Sequence, residues 1–167
     1  MSIRAWSSRA EMAIAASLTL GGCHSRTAGS MTDADRASIG RAVEATWADM
    51  MAGGRALDPD RIRAGYVGKP VVAINGTIIE DFDRDQFDET RQWLRSLRRF
   101  DANYDHVHLR VLSPETAVAT MNHHLRWTDS TGTSGEWNSA WTAFFQLTEG
   151  GWKIAYSHES TVHPGDR

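Results

Sequence analysis

The chain has 167 residues, 41% of them hydrophobic and 23% charged, which suits one ordinary domain with a buried core and excludes a disordered chain or a two-lobed cofactor enzyme. A formal charge of -3 without a basic run gives no footprint for nucleic acid, and the single cysteine excludes an internal disulfide framework or a multi-cysteine metal site. Seven tryptophans stand out as aromatic material for the core.

Residues 1–22 carry Arg4 and Arg9, an apolar run from Met12 to Leu20, and then Gly21-Gly22 before Cys23. A basic start, a short apolar stretch and small residues are the layout of a secretory signal, and the stretch is too short to span a bilayer. Leu20-Gly21-Gly22-Cys23 at that place resembles the bacterial lipobox, which implies that Cys23 is lipidated and becomes the first mature residue. His24 after the cysteine resembles lipoproteins sorted to the outer membrane. Residues 23–31 then read as a polar tether, and the expected location is the bacterial cell envelope, on the outer membrane facing the periplasm. The alternative is a soluble protein with a buried amphipathic N-terminal helix.

The domain is expected over residues 32–162, with a short tail at 163–167. Thr32 and Asp35 form a capping-box pattern, Ile39, Val43, Trp47, Met50 and Met51 make one helical stripe, and Gly53-Gly54 reads as its stop. Asp58-Pro59 starts a short helix to about Gly65, with Leu57 available to staple against Ile62 and Tyr66 at the exit. Val71 to Ile74 and Thr77 to Ile79 flank Asn75-Gly76, a hairpin turn. Asp83 and Gln86 cap a third helix, whose apolar face is Phe87, Thr90, Leu94 and Leu97 and whose Arg91, Arg95, Arg98 and Arg99 are more exposed.

After Phe100 the hydrophobic period becomes two. Runs at about 103–112, 116–128, 136–148 and 151–161 are separated by short turn sequences, which gives an antiparallel meander and an α+β domain with three helices packed on one face of the sheet. Hairpin centres then set the register. They place Asp105 opposite His123, His123 opposite Trp141, and Trp141 opposite His158, all on the inner face with Met121 and Tyr156. In that arrangement Asp105 orients His123, His123 serves as general acid or base, and His158 or Tyr156 supplies a second proton relay. Trp47, Trp141 and Tyr66 wall a pocket. The plainer alternative is a set of buried polar groups satisfied within the core. The other face collects His106, His108, Asn122, His124 and Asn138, and reads as solvent-exposed or as a polar subunit interface. His106-x-His108 has a spacing that metal sites use, but no third acidic ligand is evident on that face, so no metal is expected. No phosphate loop, nucleophile elbow or Ser-His-Asp pattern occurs.

The ending Gly150-Gly151-Trp152-Lys153-Ile154, followed by His158-Glu159-Ser160, resembles the SnoaL-like branch of the nuclear transport factor 2-like superfamily, and the likeness runs from about Thr32 to Val162. The resemblance implies a cone-shaped curved sheet of the cystatin-like roll type, with the helices on its concave face around an apolar pocket, often in a homodimer packed through the sheet. It also implies a small hydrophobic ligand and, where members are enzymes, isomerase, dehydratase or hydrolase chemistry by acid–base groups without a cofactor. The family's His-x-Ser carries over to His158 and Ser160. Fold alone does not decide between such an enzyme and a non-catalytic binding or dimerisation module.

Overall fold

The computed structural model describes residues 31–80, 82 and 84–162; the expected signal, Cys23, most of the tether, Asp83 and the tail at 163–167 lie outside them. Helix α1 spans Asp33–Arg55. The Thr32 hydroxyl accepts the Asp35 amide at 3.1 Å while the Asp35 carboxylate accepts the Thr32 amide at 3.0 Å, so two otherwise unpaired donors at the helix start are satisfied together. Gly53 and Gly54 do not stop this helix. Both are helical and buried, and their missing side chains permit close packing: a Cβ on Gly54 would lie 3.0 Å from a Phe100 ring carbon, and one on Gly53 3.0 Å from Arg61 Cβ. The helix ends instead at Arg55, and Leu57 turns the chain with a left-handed φ of 55°.

Helix α2, Pro59–Arg63, starts at Asp58, whose carboxylate accepts the Arg61 amide at 3.0 Å. Strand β1 is longer than the sequence pattern implies, running Tyr66–Ile74, so that Tyr66, at the helix exit, already opens the strand. Asn75 and Gly76 both take positive φ and return the chain into β2, Thr77–Ile79. Helix α3 covers Arg84–Ser96 and buries Phe87 and Leu94. It ends before Leu97, so Arg98 and Arg99 belong to a strand and not to a helical face.

Strands β3 (Leu97–Ser113), β4 (Thr116–Asp129), β5 (Ser134–Thr148) and β6 (Gly151–Val162) form the antiparallel meander. The curved sheet has the order β2-β1-β6-β5-β4-β3 and is mixed, because β1 lies parallel to β6. Val43, Trp47 and Met50 of α1 pack against Ala119, Met121, Trp141, Phe145 and Ile154 of the sheet; a second cluster gathers Leu94, Phe100, Ala102 and Leu125. Full burial of each large side chain here contributes roughly 1.5–3 kcal/mol.

The register decides what faces inward. Near its turn the first hairpin has the expected pairing, Leu109 with Ala119. A bulge between Asp105 and His108, where His106 takes φ 49°, shifts the ladder by one residue. Beyond it Tyr104, not Asp105, stands opposite His123, and Asp105 pairs with Asn122. His123 pairs with Ser139 rather than Trp141; this two-residue offset keeps His123 and Trp141 on one face. In the last hairpin Phe145 pairs with Ile154, then a second irregularity intervenes, and Trp141 meets Glu159 instead of His158.

Candidate functional site

Between the three helices and the inner face of the sheet lies a cavity of about 200 Å³. Its walls are largely apolar, with Met51 of α1, Ile62 of α2, Trp93 and Leu94 of α3, and Phe100 and Leu125 of the sheet. Its polar side chains are Thr90 of α3 and, from three strands, Tyr66 of β1, His123 of β4 and Glu159 of β6. A few polar groups set into an apolar concavity is the usual composition of a small-molecule site.

His123 is 5% exposed and stacks on Trp141, with ring centroids 5.1 Å apart and planes 20° apart. Its Nε2 is buried without a hydrogen-bond partner. Burial first, and the neighbouring charge of His124 second, push its pKa down to about 4, so the ring is neutral at physiological pH. Glu159 moves the other way: burial raises its pKa, and the hydroxyl of Ser139, donating to Oε1 at 2.5 Å, offsets part of the rise. The Tyr66 hydroxyl is pushed up to about 12, chiefly by burial, and is hydrogen-bonded with Ser157. The cavity therefore holds a neutral imidazole with a free nitrogen, a carboxyl group that keeps its proton more readily than usual, and a phenol that stays protonated. Such a set can accept a proton at one point and donate one at another.

Of the expected site residues, His123, Trp141 and Tyr66 line the cavity. Trp47 and Met121 are buried in the core beneath it, Trp47 packing against Phe145 and Tyr104. Asp105, Tyr156, His158 and Ser160 are exposed on the opposite face of the sheet, because each lies beyond a bulge that inverts its strand's parity. Asp105 thus cannot orient His123. It bonds His106 Nδ1 at 2.7 Å and His124 Nε2 at 3.0 Å, while His124 Nδ1 meets Asn138 Oδ1 at 2.7 Å. A carboxylate does stand on the face of His106 and His124, yet among the described residues no group of three or more His, Cys, Asp or Glu side chains is placed to hold a metal ion. Glu159 is the residue that sequence reasoning missed. Its one signal was an acidic side chain in the motif His158-Glu159-Ser160, next to a position already expected to face inward.

Among the described residues no helix is long and apolar enough to cross a membrane. The model of the SnoaL-like domain family matches residues 43–164. No curated protein matches the sequence. Among solved structures, a protein provisionally named a scytalone dehydratase, from Novosphingobium aromaticivorans, superposes with a TM-score of 0.71 at 14% identity, over 81% of this chain and 92% of that one. A nuclear transport factor 2-like superfamily protein from Salmonella enterica gives 0.65 at 12% identity, over 77% and 94%. The hexachlorocyclohexane dehydrochlorinase LinA-type3 from Novosphingobium barchaimii gives 0.64 at 12% identity, over 79% and 92%. At these identities the likeness shows the fold.

Proposed function

The chain belongs to the SnoaL-like domain family, of the nuclear transport factor 2-like superfamily, and from that premise we propose that it binds a small, largely apolar molecule beneath its helices and moves a proton on it by side-chain acid–base chemistry. The observation that carries this reading is the unpartnered, buried Nε2 of His123 beside a largely apolar cavity. An unmet buried polar group costs free energy, and a ligand's hydroxyl or acidic C–H would supply the missing partner. An apolar cavity of about 150 Å³ can hold benzene, so about 200 Å³ suits a molecule built on one ring.

In this reading His123 is the base, and Glu159 in its protonated form or Tyr66 is the donor. Proton removal at one point with donation at another is chemistry of the isomerase, dehydratase or hydrolase type, and two relatives of the same fold are named for dehydration and dehydrochlorination. Activity then rises as pH passes about 4, where His123 becomes neutral, and falls as pH passes the raised pKa of Glu159 if Glu159 is the acid. Extraction of the native protein followed by mass spectrometry identifies the ligand. Full turnover by His123→Ala would remove the proposed base. Binding without turnover of any extracted compound would leave the second reading, a non-catalytic binding module on the same cavity.

The same proposal puts a lipid on Cys23, anchors the domain in the cell envelope at the outer membrane, and pairs two copies through the outer face of the sheet. It is supported by the Leu20-Gly21-Gly22-Cys23 pattern and by the polar residues of that face. Globomycin treatment and Cys23→Ser should both change the migration of the mature protein; unchanged migration in both removes the anchor. Sedimentation of the 32–162 domain as a monomer at micromolar concentration would remove the dimer.

A further inference from the structure

A second concavity, open and about 430 Å³ in volume, lies beside the turn between β1 and β2 and the ends of β4 and β5, walled by Ile74, Asn75, Trp127, Trp137 and Thr161. Glu159 lines both this pocket and the inner cavity. A ring pair also links the two: Trp93 lines the inner cavity, Trp137 lines the outer pocket, and their centroids are 5.7 Å apart. The inner cavity alone is smaller than the roughly 300–1,000 Å³ typical of ligand sites, whereas the two spaces together fall inside that range. Both are mainly apolar, and the acidic group they share is held by Ser139 at their junction.

We infer that the two spaces are halves of one ligand site, and that its ligand is an elongated molecule with apolar groups at both ends and a hydroxyl or carbonyl group between them, set against Glu159. This rests on the proposed ligand-binding function and deepens it by naming the ligand class. A central hydroxyl or carbonyl follows from the position of Glu159, because a carboxyl group lining two largely apolar spaces favours the part of a ligand that can exchange a hydrogen bond with it. The outer pocket is open to solvent, so the second apolar end enters last and leaves first.

The experiment uses three probes of graded shape, measured by calorimetry or tryptophan fluorescence on the protein and on Ile74→Arg. Benzyl alcohol has one ring and a hydroxyl, diphenylmethanol has a ring on each side of its hydroxyl, and diphenylmethane lacks the hydroxyl. Burying the second ring should make diphenylmethanol bind about tenfold or more tightly than benzyl alcohol. It should also bind about threefold to tenfold more tightly than diphenylmethane. Ile74 is partly exposed at the wall of the outer pocket, so Ile74→Arg should abolish the gain from the second ring and leave benzyl alcohol unchanged. Thr161→Trp, which fills the same pocket, should do likewise and guards against a folding defect in the first variant. If benzyl alcohol binds but diphenylmethanol binds no tighter, or if both variants leave its gain intact, the two-part site is overturned while the inner-cavity reading stands. If diphenylmethane matches diphenylmethanol, the central polar group is overturned. If no probe binds, the cavity reading itself falls.

Discussion

His123 and His124 are neighbours in the chain and occupy opposite faces of β4, and the two faces treat them in opposite ways. His123 points into the cavity, where burial lowers its pKa to about 4 and leaves Nε2 without a partner. His124 lies on the outer face, where its ring donates hydrogen bonds to Asn138 Oδ1 and to Asp105 Oδ2, which raise its pKa above the usual histidine value, Asn138 first and Asp105 second. One ring is neutral and unsatisfied; the other has a raised pKa and partners on both nitrogens. Strand alternation, and not residue type, thus separates a group with chemistry left to do from one already engaged.

The largest effect that can break this comparison is on turnover. Loss of a positioned base reduces rate by about 10²–10⁴-fold, so His123→Ala should lie in that range on the identified substrate. Asp105→Ala, on the outer face, should stay within about twofold in the same steady-state assay. Equal losses in both variants would mean that the faces are not functionally distinct.

Next in size is stability against acid. The folded-state pKa of His123, about 4, lies below its ordinary 6.5, so the unfolded chain binds that proton more readily. The contribution is complete above about pH 6.5 and is lost as pH falls toward 4, by roughly 3 kcal/mol. Glu159 acts in the opposite sense: its folded-state pKa is raised, so folding is favoured as pH falls through that value. Comparing the protein with His123→Leu isolates the histidine. In urea unfolding at pH 7 and pH 4, His123→Leu should lose roughly 3 kcal/mol less than the parent, and at pH 7 it should be no less stable, since a buried unpartnered nitrogen is removed. Parallel stability losses would refute the burial assignment.

What could be read beforehand follows how local each determinant is. The Thr32–Asp35 box, the Asp58-Pro59 start and the Asn75-Gly76 turn all depend on residues within a few positions of one another, and all three form. Register close to the turn was legible in the first and last hairpins, as Leu109 with Ala119 and Gln146 with Lys153 show, whereas the β4–β5 hairpin is offset by two residues from its turn onward. In β3 and β6 it was lost at the bulges, because a single inserted residue inverts every later side chain, and histidine's enrichment at left-handed positions is too weak a signal to place a bulge at His106. One bulge moved Asp105 outward; the other exchanged His158 for Glu159. Gly53-Gly54 failed differently, since the pair reads as a stop while its actual role is to admit Phe100 and the Arg61 stem. The parallel contact of β1 with β6 is set by no turn at all.

The bulge itself can be tested by a smaller effect. His106→Gly removes the side-chain cost of the left-handed backbone at the price of the exposed bond to Asp105, and should raise stability by up to about 1 kcal/mol in thermal unfolding. A destabilised variant would mean that the Asp105 contact, rather than the backbone, governs this position. The smallest change expected is also the most discriminating between the faces. Asp105→Asn removes the carboxylate that helps raise the His124 pKa, so the His124 midpoint in an NMR titration should fall toward 6.5. The sign for stability follows: the support that His124 gains from a raised pKa is complete below 6.5 and is lost as pH rises through its folded-state value, so Asp105→Asn narrows that window from above. His123 should keep its midpoint near 4, because burial dominates its shift and Asp105 is across the sheet from its ring. If the His123 midpoint moves as far as that of His124, charge is communicated through β4, and the inner histidine owes its neutrality to its neighbour rather than to the cavity that surrounds it.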